Sequence, residues 1–315
     1  MKYSHWYILS DLGDSMGALE EYLIWCNLPS DVIRLICLVA NEAESIRKAF
    51  LKNQTYCSGR NASGEQQAAM DTWADGYLID LFSKSGLVRE LASEEQNDLI
   101  QFSDAPGTIA VVMDPLDGSS LIQTNLAVGS ILGIYADGNV FQKGRDLTAA
   151  LYTLYGPMTV LVVSGGKGVR SFAFNPDIGE FVVLCYDIAI PEGSIYGTGG
   201  LRNEWIPEHT SVIRYSNDKG FKIRYSGSFV ADVHQILIYG GFYSYPALKG
   251  KPDGKLRLLF EANPLGFIVT QAGGAISDGK NNPLDLTPQK IHQKTPIYIG
   301  SKGVIKAIEE IYAGK

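Results

Sequence analysis

Cysteine is scarce and scattered: Cys26, Cys37, Cys57 and Cys185 form no CxxC pair, which argues against a thiolate zinc site or a disulfide framework and fits reduced, mostly buried thiols. No apolar run approaches the roughly 18 residues of a membrane-spanning helix. The longest, at 109–113 and 158–163, have strand length. The opening MKYSHWYILSDLGDS does not follow the basic, apolar and small-residue order of a secretory signal, so cytoplasm is the expected compartment. Positive charge is also short, with 27 Lys and Arg against 34 Asp and Glu and a formal net charge of −7. That balance argues against nucleic acid or an anionic membrane as partner. It also means that an anionic substrate must meet bound cations or particular Lys and Arg side chains. Internal repeats and low-complexity tracts are absent.

What is present fits a folded chain. Hydrophobic residues make up 45% and charged residues 19%, enough apolar surface for one large or two tightly joined domains. Pro29, Ser30 and Asp31 precede Ile33, Ile36, Val39, Ala40, Ala43, Ile46 and Ala49, a spacing that predicts an amphipathic helix over 28–52. A second helix is predicted from Glu65 to about Ser83, with Glu65 at the positive end of its dipole. The run 109–113 reads as a buried strand, with further strands at 129–136, 158–164, 171–175 and 181–186. The stretch 149–155 reads as helical or mixed, and Gly165-Gly166-Lys167-Gly168 as a hairpin turn. After a boundary near 187–191 come a strand at 221–225, a helix at 229–239, a short strand or loop at 256–260, a helix at 262–273, a strand at 296–300 and a helix at 303–313. This alternation predicts a layered α/β architecture.

The sharpest local feature is Asp114-Pro115-Leu116-Asp117-Gly118-Ser119-Ser120. Pro115 fixes one backbone angle and Gly118 permits a conformation closed to other residues, so both aspartates can turn toward one point. Their mutual repulsion there would be offset by a divalent cation. A strand exit with solvated aspartates in an Asx turn fits the same spacing. Ser119 and Ser120 could open a helix whose N–H groups cradle an anion. Glu94-Glu95, Glu65, Asp71 and Glu261 add enough oxygen ligands for a multi-metal site, although an adjacent acidic pair is also an ordinary solvated feature. Arg224, Tyr225, Tyr243, Tyr245, Lys249, Lys255 and Arg257 supply cationic and hydroxyl donors suited to phosphate. His234, in the middle of an apolar helix, reads as structural.

With those residues in view, the chain resembles class I fructose-1,6-bisphosphatase, of the lithium-sensitive, metal-dependent sugar and inositol phosphatase superfamily. The likeness runs from about Asn61 to Ser301. It is carried by 114–120, by RYSGSFVADVH at 224–234, by GKLRLLFEAN at 254–263 and by QAGG at 271–274. The resemblance implies an α+β fold of layered αβαβα type with mixed sheets. It implies a metal-binding domain at 1–190 and a sugar-phosphate domain at 191–315. The implied ligands of magnesium, on the order of two or three ions per subunit with manganese possible as substitute, are Glu94, Glu95, Asp114, Asp117, Glu261 and the carbonyl of Leu116. Glu95 is also counted with the catalytic groups. Asp71 would help activate the attacking water, with Glu65 as its acidic partner. Asn203, Tyr225, Tyr245 and Lys255 would hold the sugar and its 6-phosphate, Asp117 is also counted with the substrate-binding groups, and Arg224 would reach a neighbouring subunit's site. Backbone N–H groups of Gly118, Ser119 and Ser120 would hold the 1-phosphate.

The implied reaction is hydrolysis of fructose 1,6-bisphosphate, in gluconeogenesis or the Calvin cycle, by a homotetramer or at least a homodimer. Sedoheptulose 1,7-bisphosphate is the alternative substrate, and a non-catalytic binding protein of the same fold is the rival of another class. Three departures touch the sugar site: Phe229 for the usual Met, Leu121 for Asn and Trp205 for Gly. Thr108-Ile109 and Ala136 replace the Lys-Tyr pair and the Arg that contact inhibitory AMP in animal enzymes, so weak or absent AMP inhibition is expected.

Overall fold

The structure, a computed structural model, describes residues 17–60 and 66–315. Three helices come first: α1 (Ala18–Trp25), α2 (Ser30–Asn41) and α3 (Ala43–Ala49). The single helix expected over 28–52 is therefore divided at Glu42, whose carboxylate accepts a hydrogen bond from the Tyr77 hydroxyl. Strands β1 (Tyr56–Arg60) and β2 (Gln66–Ala68) pair antiparallel before α4 (Ala69–Ser85). The helix predicted to open at Glu65 thus begins at Ala69. Residues 66–68 are spent on strand pairing, and Glu65 itself lies outside the described residues. Asp71, in the third position of α4, accepts the Ala68 N–H at 3.1 Å and satisfies one of the free donors of the helix start.

Next come β3 (Val88–Ser93), β4 (Ile100–Gln101), β5 (Ile109–Asp117), β6 (Val128–Tyr135), β7 (Ala149–Tyr155), β8 (Thr159–Ser164), β9 (Arg170–Asn175) and β10 (Glu180–Cys185). They form one eight-stranded sheet in the order β10-β9-β8-β7-β6-β5-β3-β4. Only β3 and β5 run parallel. The glycine-rich turn at 165–168 joins β8 to β9 as expected. The reading of 149–155 as helical or mixed is overturned: this is β7, paired along its length with β6 and β8. Helices cover both faces of the sheet, so Ala149–Tyr155 buries both sides and shows no alternation that would mark a strand.

The second half builds β11 (Ile195–Thr198), α5 (Pro207–Asp218), β12 (Lys222–Ile223), α6 (Phe229–Tyr239), β13 (Phe242–Tyr245), α7 (Asn263–Gln271), β14 (Ala275–Ser277), β15 (Ile297–Gly300) and α8 (Lys302–Tyr312). Its five strands form a mixed sheet, β12-β11-β13-β15-β14. The stretch 256–260, read as a short strand or loop, instead leads into a wide π-type turn at Leu258–Ala262.

Three apolar cores fix the layering. The first joins α1–α4 to one face of the large sheet, with Leu35, Ile36, Leu78, Phe82, Val111 and Leu161 among its buried members. The second lies between the two sheets around α6 and α7, with Val112, Val230, Leu258, Ile268 and Ile299. The third packs Val212 of α5 and Ile305 and Ile308 of α8 on the far face of the small sheet. The described residues are thus stacked α/β/α/β/α, as the resemblance implied. Each fully buried Val, Leu or Ile stabilises this arrangement by roughly 1.5–3 kcal/mol. No helix among the described residues is long and apolar enough to cross a membrane.

Candidate metal and phosphate site

The site begins where β5 leaves the large sheet. All nine residues of β5 are buried, and its pairing with β6 slips: Asp114 faces Ile131, while Asp117 faces Gly129. Three steps along β5 are matched by two along β6, a bulge at Pro115, a residue without the N–H that an unbroken ladder would need. The Leu116 N–H donates to Asp114 Oδ1 at 2.9 Å, and Ser130 Oγ donates to the Pro115 carbonyl at 2.8 Å. The Asx turn is therefore real, yet its aspartates are buried rather than solvated.

Glu94 follows β3, the parallel neighbour of β5, and its N–H donates to the Met113 carbonyl at 3.0 Å. Glu261 arrives from the second half on the π-type turn, where its Oε2 accepts the Arg257 N–H at 2.5 Å. A wide turn of this kind often marks a functional position in a helix. Glu94, Asp114 and Glu261 each offer a carboxylate oxygen, and these oxygens lie within 4.8 Å of one another. Glu261 is only 2% exposed.

One buried cation meets them. Arg257 places Nη1 2.9 Å from Glu94 Oε1 and 4.0 Å from Glu261 Oε2. Three carboxylates facing one guanidinium leave excess negative charge in a dry site, which must be relieved by protonation or by another cation. Burial, then the charges of Glu94, Asp117 and Glu261, hold the Asp114 carboxyl well above the ordinary carboxylate range. Burial and the nearby Glu94 charge push Glu261 up to about 8, against the opposing effect of Arg257. Burial raises Asp117 to about 6 although Ser228 and Val230 hydrogen-bond its charged form. Glu94 Oε2 is buried without a hydrogen-bond partner. An all-oxygen cluster with surplus negative charge and an open acceptor fits a hard divalent cation.

The other carboxylates have distinct settings. Asp117 Oδ2 accepts from Ser228 Oγ at 2.7 Å and from the Val230 N–H at 2.8 Å, which ties the end of β5 to the start of α6. Gly118, at φ +82°, could not be replaced in place, because a Cβ there would lie 2.6 Å from Ser228 Cβ. Asp71 is buried and Glu95 half-buried, and both line the same cleft.

That cleft, about 420 Å³, brings together Asp71, Glu94, Glu95, Asp114, Leu116 and Asp117 with Gly118, Ser119 and Ser120. The wall drawn from the second half carries Tyr225, Phe229, Tyr243, Tyr245, Lys255 and Glu261. Tyr225 stacks on Tyr243 with ring centres 6.4 Å apart, and Phe229 tilts against the same ring at 5.1 Å. Lys255 Nζ stands 6.0 Å from the Tyr245 ring centre. Asn203 and Arg224 are not in this wall. Asn203 sits in an exposed turn whose carbonyl accepts from Lys249 Nζ at 3.3 Å. Arg224 is exposed and lies over the Tyr239 ring at 4.8 Å. His234 is structural as read: its Nδ1 meets the Tyr152 hydroxyl at 2.8 Å, and burial lowers it to about 4.

Reading the sequence missed three contributors. Arg257 counted only as one of several cationic donors, whereas it is 4% exposed and sits inside the carboxylate cluster. Ser228 belonged to a quoted motif without a role, although it holds Asp117. Asp75, one helical turn after Asp71, is buried and accepts from Ser93 Oγ at 2.5 Å and from Gln96 Nε2. The four-residue spacing from Asp71 was the available signal for the last.

Comparison with known proteins agrees over almost the whole length. A family model described as "Fructose-1-6-bisphosphatase, N-terminal domain" matches residues 30–186, and one described as its "C-terminal domain" matches 190–313. A protein of Methanospirillum hungatei named "Fructose-1,6-bisphosphatase class 1" is 60% identical over 297 residues, 94% of this chain and 96% of that protein. One of the same name from Methanocorpusculum labreanum is 52% identical over 298 residues, 95% and 92% of the two chains. The solved structure of Leishmania major fructose-1,6-bisphosphatase in holo form superposes with a TM-score of 0.88 at 32% identity, covering 96% of this chain and 100% of that one.

Proposed function

The chain belongs to the class 1 fructose-1,6-bisphosphatase family, and from that premise we propose the roles its residues take in hydrolysing fructose 1,6-bisphosphate to fructose 6-phosphate and phosphate. The observation that carries the assignment is the meeting of Glu94, Asp114 and Glu261 from three separate segments at one buried point. With Glu95, Asp117 and the Leu116 carbonyl they would hold magnesium, on the order of two or three ions per subunit, or manganese in its place. When bound, such ions offset phosphoryl charge and make a neighbouring water more acidic.

The chain's own groups orient and receive. Asp71, lining the cleft, takes the proton of the attacking water, with Glu65 as its acidic partner. Glu95, half-buried at the same wall, shares in positioning that water. Backbone N–H groups of Gly118, Ser119 and Ser120 orient the 1-phosphate. Tyr225, Tyr245 and Lys255, which line the cleft from the second half, hold the sugar and 6-phosphate, the tyrosines as directional donors and the lysine as a point charge. Asn203 adds to this end of the substrate from its exposed turn. Exposed Arg224 serves a neighbouring subunit's site in a homotetramer, or at least a homodimer; sedimentation of the active enzyme as a monomer would remove that part.

In the proposed division into a metal domain, 1–190, and a sugar-phosphate domain, 191–315, the second supplies Glu261 and Arg257 to the cluster of the first. Cytoplasmic residence is supported by the free thiols of Cys26, Cys37 and Cys185; finding the chain in an oxidising compartment would exclude it. Phe229 in the sugar wall keeps sedoheptulose 1,7-bisphosphate as a second substrate to compare, and a higher kcat/KM for it would reassign the preference. The decisive assay is phosphate release from fructose 1,6-bisphosphate with and without magnesium. Glu95→Gln and Asp117→Asn are each expected to lower it on the order of 100-fold, the size seen when one group facing developing charge is removed. Full activity in both variants would reject the assigned centre.

A further inference from the structure

The turn that carries Glu94 and Glu95 is held from two sides by residues that do not line the cleft. On one side, Asp75 of α4 accepts from Ser93 Oγ at 2.5 Å and from Gln96 Nε2, gripping the first and last residues of the turn. Ser93 Oγ in turn accepts the Glu95 N–H at 3.3 Å, and the Gln96 N–H closes on the Ser93 carbonyl at 3.2 Å. On the other side, His292 Nε2 lies 2.8 Å from the Gln96 carbonyl. A carbonyl only accepts, so this ring nitrogen carries a proton and donates. His292 is itself braced edge-on by Phe260, the residue before Glu261.

We propose that Asp75 and His292 form a two-sided clamp on 93–96 that sets the positions of Glu94 and Glu95 relative to Asp114 and Glu261. Both are positioning residues, since neither reaches the cleft. The clamp rests on the reading of Glu94 as a metal ligand. A turn that only closed a strand would need no buried carboxylate, and Asp75 is 3% exposed. Taking a carboxylate out of water is costly unless its bonds are made. Here they are made to the two ends of the one turn whose side chains must be aimed. His292 adds the second domain's hold on the same turn, so the two halves of the site are registered through Gln96 as well as through Glu261.

Hydrogen-bond partners behind metal ligands typically contribute 10–100-fold in metal affinity. The test is Mn2+ binding to the purified full-length protein, followed by electron paramagnetic resonance, with Asp75→Ala, Asp75→Asn, His292→Ala, His292→Gln and Glu94→Gln. Asp75→Ala and His292→Ala are expected to weaken Mn2+ binding by about 10-fold or more, and to raise the half-saturating Mg2+ concentration in parallel while KM for the sugar bisphosphate at saturating metal is unchanged. Asp75→Asn keeps one acceptor and His292→Gln keeps a donor, so both are expected to recover most of the affinity. His292 is half-exposed, so its variants decide the matter should Asp75→Ala fail to fold. Wild-type Mn2+ affinity in both clamp variants, with loss only in Glu94→Gln, would overturn the clamp and leave the metal centre standing. Wild-type affinity in all of them would overturn both.

Discussion

Burial raises the proton affinity of Asp114, Asp117 and Glu261, and a bound cation would compete with the proton for the same oxygens. Glu261 moves from 4.5 to about 8 and Asp117 from 3.8 to about 6 on folding, and Asp114 moves in the same direction. A raised folded pKa means that the native chain binds more protons than the unfolded chain between the two values, so stability falls as pH rises through that window. Metal-free protein is therefore expected to lose stability progressively from about pH 4 to about pH 8. Saturating magnesium should flatten or reverse that slope, because it stabilises the charged carboxylates. Urea unfolding across this range, in chelator and in magnesium, measures it. Equal slopes in the two conditions would mean that no cation binds at these groups. The carboxylates themselves were legible from residue type and motif. Arg257 was not singled out, since a linear sequence does not mark a buried, paired guanidinium apart from a solvated one, and Asp75 was overlooked although it follows Asp71 by one helical turn.

Among the elements, the bulge and turn at the end of β5 matter most, and their chemistry could be read in advance. Pro115 breaks the ladder and Gly118 takes φ +82° against Ser228. Gly118→Ala is expected to cost about 1–3 kcal/mol in backbone strain, and to depress phosphate release beyond what the stability loss explains, because relief of the clash moves Ser228 off Asp117. Thermal denaturation together with kinetics checks this, and a variant with wild-type kcat/KM would show that the contact is slack. Strands with a clean apolar run, such as β5 and β8, were visible, and so were helices with an apolar stripe, such as α6 and α8. The strand β7 was not, because Ala149–Tyr155 is buried on both faces and its residue types favour neither period. The π-type turn was equally hidden. It closes through the Ala262 N–H donating to the Arg257 carbonyl at 3.0 Å, with Glu261 accepting the Arg257 N–H, a bonding pattern that no periodicity of residue types announces. Also missed were α5, β11 and β13, in a Gly- and Pro-rich stretch and just beyond α6, where short elements depend on the sheet they join.

At the scale of the whole chain, the described residues form two large mixed sheets, a two-stranded one and three helical layers, and the cleft that holds the site draws on both halves. Alternation predicted α/β, whereas β5–β10 follow one another with no α-helix between them; the layered α+β class came from the likeness to a phosphatase family, legible in long motifs in a fixed order. The convergence of Glu94, Asp114 and Glu261 needed the fold. Regulation also belongs to this scale. Thr108 Oγ1 donates to the Ala136 carbonyl at 3.0 Å, so the two positions are adjacent and neither offers a cation to a nucleotide phosphate. Millimolar AMP is expected to inhibit weakly or not at all, and strong non-competitive inhibition would refute this. The most direct measurement is a crystal structure of the protein grown with Mn2+, with anomalous scattering recorded at the manganese edge. A peak within coordination distance of oxygens from Glu94, Asp114 and Glu261 is the outcome expected here. Well-ordered crystals whose manganese lies elsewhere, with the three carboxylates still gathered around Arg257, would contradict it.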